Sequence, residues 1–245
     1  MPEAENAPEK NKRAGLHTAL MIAAAAVFVP LMIALGIAVW DDRKYYLVSL
    51  LIILVSMIPF AVRFERKKLS ARELAVLAVM TAIGVAGRAA FYMIPQFKPI
   101  VAIAIITGVA FGADSGFIVG AMIAFVSNFI FGQGPWTPWQ MEALGLMGLL
   151  AGLIFHKQDG RAPKLLPLCV FGALGTMIVY GLLVDTSTVF TVYGKFTWEQ
   201  ALAAYASGLI PNLIHAGATV VFLLLLSKPL LKKLQRIRVK YGLLE

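Results

Sequence analysis

Long apolar runs constrain this chain more than any other feature of its sequence. Five of them hold 18 to 25 residues each, at 16–40, 45–62, 74–94, 165–184 and 209–226. A helix needs about 20 predominantly apolar residues to cross the hydrocarbon core of a bilayer. The runs do not alternate apolar with polar residues, as the strands of a membrane barrel do. The sequence therefore predicts an all-α polytopic membrane protein.

Three shorter apolar runs lie between the long ones, at 100–111, 117–131 and 141–155. A run of 12 to 15 residues fits a re-entrant segment, or a full helix whose polar ends are shielded by neighbouring helices. We interpret all three as helices. The predicted total is then eight transmembrane helices.

The positive charges indicate the orientation of these helices. With the N-terminus inside, 17 of the 22 Lys and Arg residues lie in cytoplasmic segments and four lie in external loops. Cytoplasmic loops carry such an excess in membrane proteins. Both termini are therefore predicted to be cytoplasmic, in a multi-pass protein of a bacterial plasma membrane. The net charge of +9 is explained by topology and anionic lipid, so no nucleic-acid partner is expected.

Polar content divides the chain into two parts. Residues 1–68 form a cytoplasmic N-terminal tail and an accessory transmembrane hairpin, whose two apolar runs hold almost no polar residue. Residues 69–245 form the working module, with six helices and a basic C-terminal tail. That tail, LLKKLQRIRVKYGLLE, is predicted to anchor on the inner leaflet.

Polar side chains of the second part gather toward the predicted external ends of its helices. Such groups are costly in hydrocarbon and tend to face a cavity or a partner. We therefore predict a substrate pocket that opens to the outside, with the segment 184–198 as its last external loop. The predicted substrate-binding residues are Arg88, Tyr92, Gln96, Lys98, Asn128, Gln133, Trp136, Thr137, Trp139, Gln140, Tyr193, Asn212 and His215.

The segment FGQGPWTPWQM, residues 131–141, is predicted to form part of the pocket rim. Its prolines stiffen the backbone and its glycines allow it to turn. Trp136 and Trp139 offer flat apolar faces that suit a large ring system. The alternative is an aromatic belt at the membrane interface, where tryptophan is common.

Three ionisable residues near the pocket each allow two interpretations. Arg88 suits a ligand carboxylate or phosphate, or else a structural ion pair with Glu142 or Asp185. His215 suits a metal or a titrating role, or else a packed hydrogen-bonded position. Glu142 suits proton coupling, or else a helix start favoured by the macrodipole. Cys169, the single cysteine, excludes an internal disulfide and a cysteine metal cluster.

Small residues repeat along the third predicted helix. Ala78, Ala82, Ala86 and Ala90 are four residues apart and so lie close to one face. Such faces allow another helix to approach closely within lipid. Internal packing and docking of a separate membrane protein both fit this pattern.

Sequence motifs for catalysis are missing. There is no GxxxxGK[ST] phosphate loop, no HExxH, no GxSxG and no cysteine pair. We predict no catalytic residues, no metal site and no bound cofactor. The chain is therefore expected not to be an enzyme, and not to hydrolyse ATP itself.

The segment GRAAFYMIPQFKPIVAIAIITGVAFGADSGFIVGAMIAFVSNFIFGQGPWTPWQMEALGLMGLLAG, residues 87–152, resembles the substrate-binding S components of energy-coupling factor (ECF) vitamin transporters. Within that group it is most similar to cobalamin-type S components. The resemblance extends over residues 69–245 and leaves out the first hairpin, which most six-helix S components lack.

This resemblance implies a six-helix protein that binds a vitamin near its outer face. It also implies partners, namely a transmembrane coupling subunit and two cytoplasmic ATPase subunits. The alanine-spaced helix contacts the coupling subunit in that family, and Ala78, Ala82, Ala86 and Ala90 match it. The loaded S component is expected to topple in the membrane and to release its vitamin, here cobalamin or a related corrinoid, inside.

Four alternatives stay open on the sequence alone. An ion-coupled secondary transporter would use Glu142, Asp185 or His215 as its coupling site. A membrane enzyme would use His215 and Glu142. A structural membrane anchor would bind no small molecule, and an S component for a different vitamin would keep the family while changing the ligand.

Overall fold

The computed structural model describes residues 70–157, 162–193 and 197–243, and within them the chain is helical, with no strand. Two π-helical segments, Thr176–Gly181 and Val189–Tyr193, continue the helices that precede them. The α-helices are α1 (Ala71–Ala90), α2 (Ile100–Phe111), α3 (Ala113–Phe131), α4 (Thr137–Phe155), α5 (Leu165–Gly175), α6 (Leu182–Thr188) and α7 (Trp198–Tyr241).

The all-α membrane fold predicted for the second part of the chain is confirmed. Five helical stretches among the described residues are long and apolar enough to cross a membrane, the fourth of them running through Leu165–Val192. The predicted runs 16–40 and 45–62, and with them the accessory hairpin, lie outside the described residues. The total of eight helices and the side of each terminus therefore stay predictions.

α1 begins where its sequence provides a capping box. The Ser70 hydroxyl accepts a hydrogen bond from the Glu73 amide at 3.3 Å, and the Glu73 carboxylate accepts one from the Ser70 amide at 2.7 Å. These two bonds satisfy amides that have no partner inside the helix. The start of α1 is therefore fixed directly after the basic stretch 63–69, which lies outside the described residues.

Glycines bring α2, α3 and α4 into backbone contact. A Cβ atom on Gly108 of α2 would collide with the Gly148 carbonyl of α4, and so would one on Gly116 of α3. A Cβ on Gly120 would meet the Leu144 carbonyl in the same way. The glycine repeat of residues 108–120 thus faces α4 from two successive helices, because the turn at Gly112 (φ 92°) reverses the chain.

α2 by itself is shorter than the hydrocarbon core of a bilayer. Its 12 residues rise about 18 Å, against a hydrocarbon core of about 30 Å. The preceding connection, residues 91–99, folds inward over its start: the rings of Phe91 and Phe97 lie 5.0 Å and 5.4 Å from that of Phe222 on α7. The amino terminus of α2 is therefore inside the bundle.

The predicted external loop 184–198 is wrong over most of its length, because residues 184–193 continue the helical stretch that begins at Leu165. The hydroxyl groups that suggested a loop bond to carbonyls of the same helix. Thr186 donates to the Leu182 carbonyl at 2.6 Å, and Ser187 donates to the Val184 carbonyl at 2.7 Å. Hydroxyl side chains satisfied in this way can enter a helix within an apolar environment.

α7 is much longer than the predicted run 209–226. It extends over 44 residues, about 66 Å, so it projects beyond any bilayer. The basic C-terminal tail continues this helix and packs against the bundle through Leu231 and Leu234, and Arg72 of α1 lies 5.6 Å from the centre of the Tyr241 ring. Its anchoring on the inner leaflet stays a prediction.

Replacing Gly148 with Ala is expected to destabilise the protein by about 1–3 kcal/mol, because the added methyl group collides with the Gly116 backbone. For a domain of this size each kcal/mol corresponds to about 2–4 °C in melting temperature. Thermal unfolding of the detergent-purified protein measures the shift. Gly217→Ala on α7 is the control, since a Cβ there meets nothing within 4 Å. Equal melting temperatures for the two variants would contradict the packing described.

Candidate functional site

Arg88 joins α1 to α3 through neutral side chains. Its Nη1 atom donates to the Ser127 hydroxyl at 2.5 Å and to the Asn128 Oδ1 atom at 2.8 Å. Its guanidinium also lies 4.8 Å from the centre of the Phe131 ring, a cation–π contact. Among the described residues Arg88 pairs with no carboxylate, so the structural ion pair considered from the sequence is not found there.

Asn128 connects this arginine to the start of α4. The Asn128 Nδ2 atom donates to the Thr137 hydroxyl at 2.9 Å and to the Gln140 Oε1 atom at 3.0 Å. The Thr137 hydroxyl in turn accepts the Gly134 amide at 3.2 Å. Asn128 and Thr137 are 1% and 3% exposed, so the network ties three helix ends together in the interior. We call the region around it the polar cup.

Aromatic rings line the cup on two sides. Tyr92 stacks on Phe131 at 5.3 Å, and Trp139 stacks on Phe190 at 5.8 Å with their planes 13° apart. Trp136 is 40% exposed, as a rim residue should be, whereas Trp139 is 2% exposed. The helical phase of α4 therefore turns Trp139 inward, away from the rim position predicted for it.

A second polar group lies between α6 and α7. The Asn212 Nδ2 atom donates to the Asp185 Oδ2 atom at 2.8 Å, and the ring of His215 meets the Tyr180 ring edge-on at 4.8 Å. This second group joins α6, α7 and the π-helical segment that contains Tyr180.

Two buried polar side chains have no hydrogen-bond partner among the described residues. Both carboxylate oxygens of Glu142 and both ring nitrogens of His215 are in this state, at 1% and 2% residue exposure. An unsatisfied buried polar group costs roughly 1–3 kcal/mol. Each of these side chains is thus available to a ligand that enters the bundle.

The remaining predicted site residues lie outside this network. Lys98 is half-buried just before α2. Gln96 is exposed and has a φ of 57°, and the exposed Gln133 donates to the Phe125 carbonyl at 3.0 Å. Tyr193 ends the second π-helical segment. The side chains of Lys98, Gln96 and Gln133 have no recorded hydrogen bond to Arg88, Asn128, Thr137 or Gln140.

Ser127 and Tyr180 carried no signal in the sequence. Each sits in an apolar stretch, where aromatic and hydroxyl residues are ordinary. Tyr180 lies in the π-helical segment Thr176–Gly181, whose extra residue per turn changes which side chains face inward. Their roles follow from the tertiary contacts, which periodicity alone does not give.

A long apolar groove lies between α1 and α3. It has a volume of about 680 Å³ and is lined by α1 and α3, with Ala78, Ala82 and Ala86 among its walls. All four alanines of the predicted stripe, including Ala90, are exposed. Among the residues that the structure describes, no helix covers this stripe.

These features define the class of the protein, a polytopic helical membrane protein with a polar cup between its helix ends. Among the described residues no three His, Cys, Asp or Glu side chains are grouped so as to hold a metal ion.

A family model described as the S component of an ECF-type riboflavin transporter matches residues 68–233. The chain belongs to this family of ECF S components, non-catalytic substrate-binding subunits of transporters. The predicted family is thereby confirmed. The cobalamin-type assignment is not supported, because the matching model carries the name of riboflavin.

Two curated relatives match part of the chain, and their names state no activity. The chain is 31% identical over 124 residues to a UPF0397 protein of Vibrio atlanticus (strain LGP32), covering 46% of this chain and 68% of that protein. It is 31% identical over 90 residues to a UPF0397 protein of Aliivibrio fischeri (strain MJ11), covering 35% of this chain and 49% of that protein. No solved structure matches the chain.

Replacing Asn128 with Ala is expected to lower stability by about 1–3 kcal/mol, because Arg88, Thr137 and Gln140 each lose a buried hydrogen-bond partner. Thermal unfolding without ligand measures this loss. Gln133→Ala is the control: its one recorded bond is exposed, and its effect should stay within about 0.5 kcal/mol. Similar shifts in the two variants would mean that the network does not hold the helix ends together.

Proposed function

We propose that this chain captures a vitamin at the outer face of the membrane and delivers it to an ECF complex. The complex would supply a transmembrane coupling subunit and two cytoplasmic ATPase subunits. Family membership supports this assignment, and the absence of a phosphate-loop motif in the sequence is consistent with ATP hydrolysis by other subunits.

One observation carries the proposal: α1 takes part in both surfaces that such a subunit needs. Arg88 near its end belongs to the hydrogen-bonded network of the cup. Ala78, Ala82 and Ala86 on another side of the same helix line the exposed groove. A helix shared by a ligand site and a docking surface gives the two a direct physical connection.

The substrate we propose is a flavin, in place of the cobalamin predicted from the sequence. The family model that matches is named for riboflavin. The isoalloxazine ring of a flavin is flat and carries amide-like donors and acceptors, which suit the faces of Tyr92 and Trp136 and the amide of Gln140. Glu142 and His215 would supply further hydrogen bonds that the described residues leave unfilled.

The groove on α1 is the proposed site for the coupling subunit. Helices associate closely in lipid where small side chains let their backbones approach. The groove extends from Leu74 near one end of α1 to Ala89 near the other, and its lining is almost entirely apolar. Its shape and composition thus fit a transmembrane helix of the partner.

Leucine at both Ala82 and Ala86 is expected to leave flavin binding unchanged and to abolish ATP-driven uptake, because the added bulk fills the groove. Binding is measured by the quenching of flavin fluorescence in the purified protein. Uptake is measured in proteoliposomes that hold the complete complex with internal ATP.

The matched control is Gly217→Leu, which adds comparable bulk at an exposed position of α7 where a Cβ meets nothing within 4 Å. It should retain both binding and uptake. Normal uptake by the double-leucine variant would place the coupling subunit elsewhere. Failure of the unaltered protein to bind riboflavin or its phosphate would contradict the flavin assignment.

Glu142 supports a second candidate function, an ion-coupled secondary transporter. A carboxylate buried within a transmembrane helix and without a partner among the described residues is typical of a proton-coupling site. The two functions differ in what drives uptake. Flavin accumulation by this chain alone, driven by a proton gradient and lost in Glu142→Gln, would favour the second. Uptake that requires ATP and the partner subunits would favour the first.

A further inference from the structure

The apolar groove between α1 and α3 runs along most of α1. It extends from Leu74 to Ala89, about 22 Å of helix, and has a volume of about 680 Å³. Phe117, Ile118 and Met122 of α3 form its other wall. A cavity of this length with an apolar lining fits one transmembrane helix that lies along α1.

The chain itself carries an apolar segment next to this groove. The run 45–62 lies outside the described residues and ends eight residues before α1 begins at Ala71. The connection 63–70 reaches at most about 28 Å when fully extended, which is less than a hydrocarbon core of about 30 Å. Its four basic residues also oppose a crossing of that core. The run 45–62 and α1 are therefore expected to be antiparallel neighbours.

The dimensions and side chains of this run match the groove. As a helix its 18 residues rise about 27 Å, against about 22 Å for the groove. The run has no glycine and a single alanine, and most of its side chains are Leu, Ile or Val. The α1 wall of the groove is instead rich in alanine, at positions 78, 82, 86 and 89. Large side chains on one helix fill the space that small side chains leave on the other.

Two serines in the run indicate its register against α1. Ser49 and Ser56 are seven residues apart, so they lie on one face of a helix. In an antiparallel pair joined by the connection 63–70, Ser56 lies level with Ala78, and Ser49 lies level with Ala86. Small residues at these two levels allow the helices to approach closely in lipid.

We propose that residues 45–62 occupy the groove in the protein without its partners, as a cover that the coupling subunit displaces when it docks. The occupancy goes beyond the proposed function and does not depend on it. The displacement rests on the proposed function, which assigns the same groove to the coupling subunit. Exchange is feasible because lipid is as apolar as a leucine side chain, so a displaced helix loses packing contacts but gains no exposure to water.

Disulfide formation in the full chain tests the occupancy. Two double-cysteine variants are made in a Cys169→Ala background, because Cys169 is the single native cysteine. One variant combines Ser56→Cys with Ala78→Cys. The other combines Ser49→Cys with Ala86→Cys. Membranes that hold the protein alone are treated with a mild oxidant, and the remaining thiols are counted on a denaturing gel after reaction with maleimide-polyethylene glycol. We expect most molecules to lose both thiols while staying monomeric, since a disulfide needs Cα atoms within about 7 Å.

Val79 provides the matched control. It follows Ala78 and is 57% exposed, but it is not among the residues that line the groove. The pair Ser56→Cys with Val79→Cys should stay reduced in most molecules. Oxidation of this pair in place of the groove pairs would put the run on another side of α1 and overturn the inference. Groove pairs that stay reduced, or that link two copies of the chain, would overturn it as well, by leaving the groove to lipid or to a second copy.

The displacement is tested with the same variant and the coupling subunit. The coupling subunit should co-purify with the reduced form of the Ser56→Cys/Ala78→Cys variant and be lost from its oxidised form. Co-purification with the oxidised form would overturn the displacement and place the coupling site elsewhere, while the occupancy stands. If the unaltered protein fails to bind the coupling subunit, the proposed function is contradicted, and the disulfide pattern alone decides the occupancy.

Discussion

In lipid every backbone amide must find a partner within the protein. The packing of the surrounding helices therefore depends on how the short helix α2 is covered. Its 12 residues reach only about 18 Å, so its amino terminus ends inside the bundle. Contacts of Gly108 and Gly116 with Gly148 hold that helix against α3 and α4. The connection 91–99 then folds inward to cover it through Phe91 and Phe97. The end of α1 that carries Arg88 packs here too, since a Cβ on Gly87 would collide with the Pro99 ring that precedes α2.

The hydrogen bonds of Arg88 and Asn128 hold the neighbouring helix ends together. They tie α1, α3 and the start of α4 together without using a carboxylate among the described residues. Charge is therefore left available for a ligand instead of being neutralised internally. Because Arg88 lies on the helix that also carries the exposed alanine groove, a ligand that engages Arg88 acts on the helix proposed to meet the coupling subunit.

Much of the helical order could be predicted from hydropathy, and the short helix Ile100–Phe111 was predicted with the bounds the structure has. Pro99 and Gly112, which flank it, are strong signals of helix ends. The segment 184–193 was misjudged because its hydroxyl groups resemble those of a loop, whereas they bond within the helix. Trp139 faces inward because of the helical phase of α4, and Tyr180 faces inward because it lies in a π-helical segment. Hydropathy carries no information on either cause. The partners of Arg88 come from α3, 39 and 40 residues away, and no local pattern encodes such contacts.

The most direct test of the account is the side of the membrane on which the cup opens. Cys169 is the single native cysteine, so a variant with Cys169→Ala accepts one new cysteine at an exposed position, either Trp136→Cys or Lys157→Cys. Intact cells are treated with a membrane-impermeant maleimide. The account predicts labelling at position 136 in intact cells, and at position 157 only after the membrane is permeabilised. The reverse pattern would place the cup on the cytoplasmic side and contradict an outward-facing binding subunit.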